Sequence, residues 1–152
     1  MPDRMLQNKL RNILAENLTP AAKSSSIAEA IWLAGIYPWV GIYDVDVRPV
    51  WSQILHGADR RAGVPCFSIT QGITSRAVAE RKTINEGDAA SNSGYLTALE
   101  STRSEIIVPV LDDAAAVIGT IDVESERLKS ALPAATGAEP YLAKACSRAA
   151  AE

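Results

Sequence analysis

Two runs in the last third of the sequence limit what this chain can fold into: E-I-I-V-P-V-L from Glu105 to Leu111, and V-I-G-T-I-D-V-E from Val117 to Glu124. Both are rich in β-branched residues and neither carries a helix-period stripe, so both read as strands. Asp112, Asp113 and three alanines separate them, a short connection that suits an antiparallel hairpin. Alternation puts Ile106, Val108 and Val110 on one face of the first strand and Glu105, Ile107, Pro109 and Leu111 on the other. On the second strand Val117, Gly119, Ile121 and Val123 share one face, and Ile118, Thr120, Asp122 and Glu124 the opposite one. A slip of one residue would turn every side chain over, and only one register joins the two apolar faces. In that register Glu105, Asp122 and Glu124 converge, with Asp122 and Glu124 about 7 Å apart along the strand at a rise of roughly 3.4 Å per residue.

At 152 residues, 47% of them hydrophobic, the chain is long enough for one well-buried domain and too short for two. The net charge of −3, with no basic cluster, excludes a nucleic-acid footprint. No apolar run approaches the roughly 18 residues of a membrane-spanning helix, and the N-terminus lacks a signal-peptide layout, so the expectation is a cytoplasmic protein without a membrane partner. Cys66 and Cys146 make no metal-ligand or disulfide pattern, and neither a metal nor another cofactor is expected. His56, the only histidine, has no serine or cysteine placed near it in a nucleophile motif and reads as a surface residue.

Ahead of the hairpin, Arg4 to Asn17 repeats apolar residues at helical spacing, and Thr19–Pro20 reads as an N-cap and first-turn proline opening a second helix to about Leu33, ended by Gly35. Tyr37 to Asp46 and Val50 to Leu55 read as paired strands, with Trp39, Gly41, Tyr43 and Val45 on one face of the first. His56 to Val64 reads as a loop and Cys66 to Thr70 as a strand. Gly72 to Arg81 reads as a helix with Thr74 or Ser75 as its cap, and a helix start of this kind can hold an anion. Lys82 to Asn85 reads as a short strand, Glu86 to Gly94 as a long mobile loop, and Tyr95 to Glu100 as a helical turn. Pro140 to Ala151 reads as a closing helix with Tyr141, Leu142 and Ala145 inward.

This order, and above all the S-E-I-I-V-P-V and I-G-T-I-D-V-E-S segments, resembles a GAF domain over nearly the whole chain. The resemblance implies an α+β, GAF-like and PAS-related fold: a central antiparallel sheet of five or six strands, N- and C-terminal helices on one face, a ligand pocket on the other. It implies one domain over 1–152, with an N-terminal helix in 1–18, sheet and pocket in 36–125 and a C-terminal helix in 139–152, and a homodimer formed through the terminal helices. Among stand-alone GAF proteins the chain is similar to the free methionine-R-sulfoxide reductases. Their pocket uses the aromatics of a W-x-G-x-Y strand, the Glu of S-E-I-V and the acids of a D-x-D-S strand, matched here by Trp39, Tyr43, Glu105, Asp122 and Glu124, the last a conservative departure.

Their cysteines are not matched. Thr74 stands where their G-V-C-G-T-A segment has its thiol, and Leu96 to Arg103 lacks the second one, whereas sulfoxide reduction needs an attacking thiolate and usually a resolving thiol. The bilin-binding branch attaches its chromophore through a Cys near a His, a pair that does not occur here. The resemblance therefore implies a sensory or regulatory binding module without catalysis, reporting to an unidentified signalling partner. Three gathered carboxylates call for a cationic partner, so an amine or amino-acid-like ligand is expected. Its ammonium would meet Glu105, Asp122 and Glu124, its carboxylate Thr74 and Ser75, and its apolar part Trp39 or Tyr43. Two alternatives stand beside this: a divergent free methionine-R-sulfoxide reductase using Cys66, and a dimerisation module whose acids are neutralised by Arg76 or Arg103 and whose pocket is vestigial.

Overall fold

The computed structural model describes residues 4–35, 37–47, 50–57, 66–68, 72–92 and 100–128, with the backbone alone considered at 46–57 and 66–68. Helices Arg4–Ala15 (α1) and Pro20–Ala34 (α2) lead into strands Trp39–Val47 (β1), Val50–Gly57 (β2) and Cys66–Ser68 (β3). Helix Gly72–Glu80 (α3), strand Ile84–Glu86 (β4), and the hairpin Ser104–Leu111 (β5) and Val117–Ser125 (β6) follow. The strands form one antiparallel sheet in the order β3-β2-β1-β6-β5-β4. The class is α+β, as expected.

The hairpin register is the one that joins the apolar faces: Ile106 pairs with Val123, Val108 with Ile121 and Val110 with Gly119. That face packs on α1 and α2 through Leu6, Leu10, Ile13, Ile27 and Ile31, with Val40 and Ile42 of β1 completing the core. Thr19 caps α2 by accepting a hydrogen bond from the Ala22 N–H at 3.2 Å, Pro20 fills the first turn, and Gly35 closes the helix. The Lys23 ammonium, although buried, donates to the Leu14 carbonyl at 2.9 Å and ties α2 to the last turn of α1. No described helix is long and apolar enough to cross a membrane.

Four expectations are corrected. The face assignment at the turn end of β6 fails, because a bulge between Val110 and Leu111 sets Leu111 opposite Val117 and brings Ile118 onto the helix-side core. A bulge inserts one unpaired residue and so reverses the alternation beyond it. The segment from His56 is strand for two residues more, since His56 and Gly57 pair with Ile42 and Gly41; the ladder with β1 outweighs their weak strand propensity. Neither Thr74 nor Ser75 caps α3, because the helix already begins at Gly72 and both lie within its first turn. The short strand is displaced to Ile84–Glu86, where pairing with Glu105 to Ile107 ends at Glu86.

The expected mobile loop after β4 is pinned at its start. The Ala89 N–H donates to the Arg103 carbonyl at 2.9 Å, and Glu86 accepts from the Asn92 amide at 3.1 Å. The helical turn at Tyr95 to Glu100 and the closing helix lie outside the described residues, Glu100 excepted.

Candidate functional site

The face of the sheet away from α1 and α2 carries the polar chemistry. Residues directly opposite in a ladder point to the same side, so the pairings Glu86–Glu105, Glu105–Glu124 and Glu124–Trp39 draw one row across β4, β5, β6 and β1. The next row is Ile84, Ile107, Asp122 and Gly41, and the third is Pro109, Thr120 and Tyr43. Four carboxylates, two aromatic rings and a threonine hydroxyl thus share a patch three rows deep. Helix α3 closes part of the same face by packing Ile73 and Ala77 on Ile107 and Ile84.

Burial makes this arrangement costly. Glu105, Asp122 and Glu124 are 3%, 4% and 2% exposed, and Trp39, Tyr43, Thr74 and Thr120 are buried with them. The Thr102 hydroxyl donates to Glu124 Oε2. Glu105 Oε2, Asp122 Oδ1, Thr120 Oγ1 and Trp39 Nε1 have no hydrogen-bond partner. A buried polar atom in that state costs about 1–3 kcal/mol. An ideal Cβ on Gly41 would sit 2.9 Å from the Tyr43 ring and 3.0 Å from Trp39 Nε1, so both aromatics close over the glycine that stands opposite Asp122. Only a residue without a side chain lets the two rings approach there.

The electrostatics follow from the crowding. Burial pushes the Asp122 carboxyl up to about 8, hydrogen bonding from Thr120 and Thr74 draws it back, and the charge of Glu124 adds to the rise. Thr120 Oγ1 acts from close by without reaching full hydrogen-bond geometry, which is why it and Asp122 Oδ1 still stand without a partner. Glu105 is raised well above the usual carboxylate range by burial first, then by Asp122 and Glu124. The Tyr43 phenol is raised by burial and by the same three acids.

Of the residues expected from the sequence, Trp39, Tyr43, Thr74, Glu105, Asp122 and Glu124 are brought together. Ser75 is half-buried and its hydroxyl donates to the Gly72 carbonyl at 2.8 Å, inside its own helix. The expected neutralising arginines stand elsewhere: Arg76 is exposed and faces Glu80 at 3.7 Å, and Arg103 is exposed. Glu86, Thr102 and Thr120 complete the site and were not singled out. Extending the expected Lys82 to Asn85 strand by one residue reaches Glu86. Thr120 was already visible on the acid face of β6.

Among the described residues no group of three or more His, Cys, Asp or Glu is arranged to hold a metal ion. Two open clefts, of about 390 and 530 Å³, lie against α2, one lined by Trp32, Tyr37 and Glu126 and the other by Met5, Lys9 and Leu33. Neither touches the acid row. An open cleft costs the fold nothing, whereas partnerless buried atoms do, and they mark the sheet's other face as the candidate site.

Comparison with solved structures identifies the architecture. The chain superposes on the GAF domain of an Acinetobacter phosphoenolpyruvate-protein phosphotransferase with a TM-score of 0.82, at 17% identity, over 98% of this chain and 96% of that one. This is a GAF fold. The GAF architecture here is also similar to that of free methionine-R-sulfoxide reductases. The enzyme of Neisseria meningitidis, solved in complex with its substrate, gives a TM-score of 0.76 at 24% identity over 93% of this chain and 84% of that one. The reduced enzyme of Staphylococcus aureus gives 0.79 at 18% identity over 95% and 92%. No family model matches the sequence, and no curated protein matches it. At these identities the likeness establishes the GAF fold, and function has to be argued from the site.

Proposed function

We propose that this GAF domain is a non-catalytic sensory or regulatory module that binds a small amine or amino-acid-like molecule on the acid-bearing face of its sheet. The observation that carries the reading is a pair of buried carboxylate oxygens, Glu105 Oε2 and Asp122 Oδ1, that have no hydrogen-bond partner and lie on one face with Glu124. An ammonium would supply donors to Glu105 Oε2 and Asp122 Oδ1, the partnerless oxygens. Trp39 and Tyr43 offer it an apolar wall, and Trp39 Nε1 offers a donor to a ligand oxygen. A ligand carboxylate would lie toward the first turn of α3, at Thr74 and Ser75, where backbone N–H groups at a helix start favour negative charge.

A thermal-shift series with amino acids, alkylamines, cyclic nucleotides and small anions tests this, because a ligand that binds only the folded state raises the melting temperature by mass action. Stabilisation by amines that is lost in Asp122→Asn with Glu124→Gln supports the reading. Stabilisation by anions alone, unchanged in that variant, refutes it.

A second reading, a divergent free methionine-R-sulfoxide reductase, is favoured by the structural relatives that are such enzymes. It must draw its thiol from Cys66 or Cys146. Cys66 lies on β3, three strands from β6 in the sheet and therefore roughly 14 Å away at about 4.8 Å per strand; Cys146 lies outside the described residues. Thiol-dependent turnover of free methionine sulfoxide that disappears in Cys66→Ser would establish the enzyme. The proposed module also pairs as two copies through its terminal helices, of which α1 carries Met5, 80% exposed, and sedimentation of the pure protein reads that pairing directly.

A further inference from the structure

We propose that without a ligand the site is held together by protons and that a cationic ligand enters by displacing one of them, so that binding and proton release are a single exchange. This rests on the acid row being the ligand site. Glu105 and Glu124 stand directly opposite each other and Asp122 occupies the adjoining row. Ionised side by side in a buried patch, three carboxylates repel, and Glu105 Oε2 and Asp122 Oδ1 are left without a hydrogen-bond donor.

Among the described residues the groups that face them are few. From β1 come the Tyr43 phenol and Trp39 Nε1, from β4 another acid, Glu86, and from α3 the Thr74 hydroxyl. Glu86 is already engaged by the Asp88 N–H at 3.4 Å and the Asn92 amide at 3.1 Å. The segment before β5 adds Thr102, which donates to Glu124. Arg76 turns to Glu80, Arg103 is exposed, and Lys23 serves Leu14 on the opposite side of the sheet. Among the described residues, therefore, no cation faces Glu105 or Asp122.

A protonated carboxyl repairs this arrangement locally, since its O–H becomes a donor to a neighbouring carboxylate and one charge is removed. The raised pKa values of Asp122 and Glu105 agree with that state. An ammonium offers the same service from outside, with three N–H donors and a full positive charge. The exchange balances as one ammonium in and one proton out to solvent, with no change in the net charge of the site. Two independent features point at a ligand rather than a mere cluster of acids: the buried Trp39 Nε1 and Thr120 Oγ1, both partnerless on the same patch. The site is thereby selective for compact cations with several N–H donors over neutral or anionic molecules.

The test has two arms on the full chain. In the free protein, carbon-13 NMR of the side-chain carboxyls at pH 7 is expected to show at least one of Glu105, Asp122 and Glu124 protonated, a signal removed in Glu105→Gln with Asp122→Asn. All three ionised at pH 6 would overturn the proposal. In the second arm butylamine, an amine that stays charged to about pH 10, is titrated calorimetrically at pH 6 and pH 8 in two buffers of different ionisation enthalpy. Its affinity is expected to rise by roughly tenfold per pH unit with about one proton released. Binding with pH-independent affinity and no proton release overturns the exchange and leaves the ligand-site reading standing. No binding of butylamine or of methionine at either pH overturns both.

Discussion

Replacing Asp122 by asparagine keeps the side chain's shape and removes its ability to ionise, and it should change how the fold responds to pH. Asp122 is raised from 3.8 to about 8 because burial disfavours its charged form. Between those limits the folded chain holds a proton that the unfolded chain has released. The contribution is therefore present in full below the ordinary carboxylate range and is lost as the pH rises through the folded value. Each pH unit inside that window costs about 1.4 kcal/mol per proton. From pH 6 to pH 8 one such proton is worth roughly 2–3 kcal/mol, or about 5–10 °C in melting temperature for a chain of this size.

Wild-type stability, followed by urea denaturation in the absence of amines, should fall over that interval, and Asp122→Asn should flatten the fall. Some slope should remain in the variant, because Glu105 is raised in the same direction; Glu105→Gln should remove it. A wild-type profile that is flat or rising from pH 6 to pH 8 would refute the reasoning, as would equal slopes in wild type and Asp122→Asn.

Other perturbations test the scaffold. In the hairpin turn Asp112 Oδ1 accepts from the N–H groups of Ala114 at 2.9 Å and Ala116 at 2.8 Å, so Asp112→Ala should cost about 1–2 kcal/mol in chemical denaturation. Ala115 sits in the same turn with φ of 61°, a left-handed conformation that costs a side-chain-bearing residue; Ala115→Gly should be neutral or stabilising by up to about 1 kcal/mol. A Cβ on Gly119 would lie 2.8 Å from the Tyr43 carbonyl oxygen, a backbone atom that moves only with the strand, and Gly119→Ala should cost about 1–3 kcal/mol. Gly41→Ala pushes instead on the rings of Trp39 and Tyr43, and tryptophan fluorescence should report the displacement even where the melting temperature changes little.

The hairpin register and the acid-bearing face were legible because they depend only on strand alternation and on the requirement that two apolar faces meet. Thr19–Pro20 and Gly35 were legible because each acts within one helical turn. The bulge was not, since Ile118, the residue of β6 skipped between the pairs Val110–Gly119 and Leu111–Val117, carries no compositional mark in V-I-G-T-I-D-V-E, and the skipped residue is decided by how the turn closes around Asp112. His56 and Glu86 were misplaced for a related reason: each is strand because a neighbouring strand pairs with it, and pairing is not a local property of the sequence. The orientation of Arg76 toward Glu80 depends on which face of α3 meets the sheet. The apolar residues of that helix show this face only once Ile107 and Ile84 are known to receive it.

The alternation that separates core from site also binds them mechanically. Val123 lies between Asp122 and Glu124, and Ile106 lies between Glu105 and Ile107, so every carboxylate is one peptide away from a side chain clamped by the helices. The sheet is thus a diaphragm one residue thick, wetted by charge on one side and loaded by α1 and α2 on the other. A change in spacing among the three acids, whether by a ligand or by a proton, presses on the seats of Leu10, Ile27 and Ile31. Volume changes at those helix positions should in turn retune affinity on the far side, at residues that they never touch.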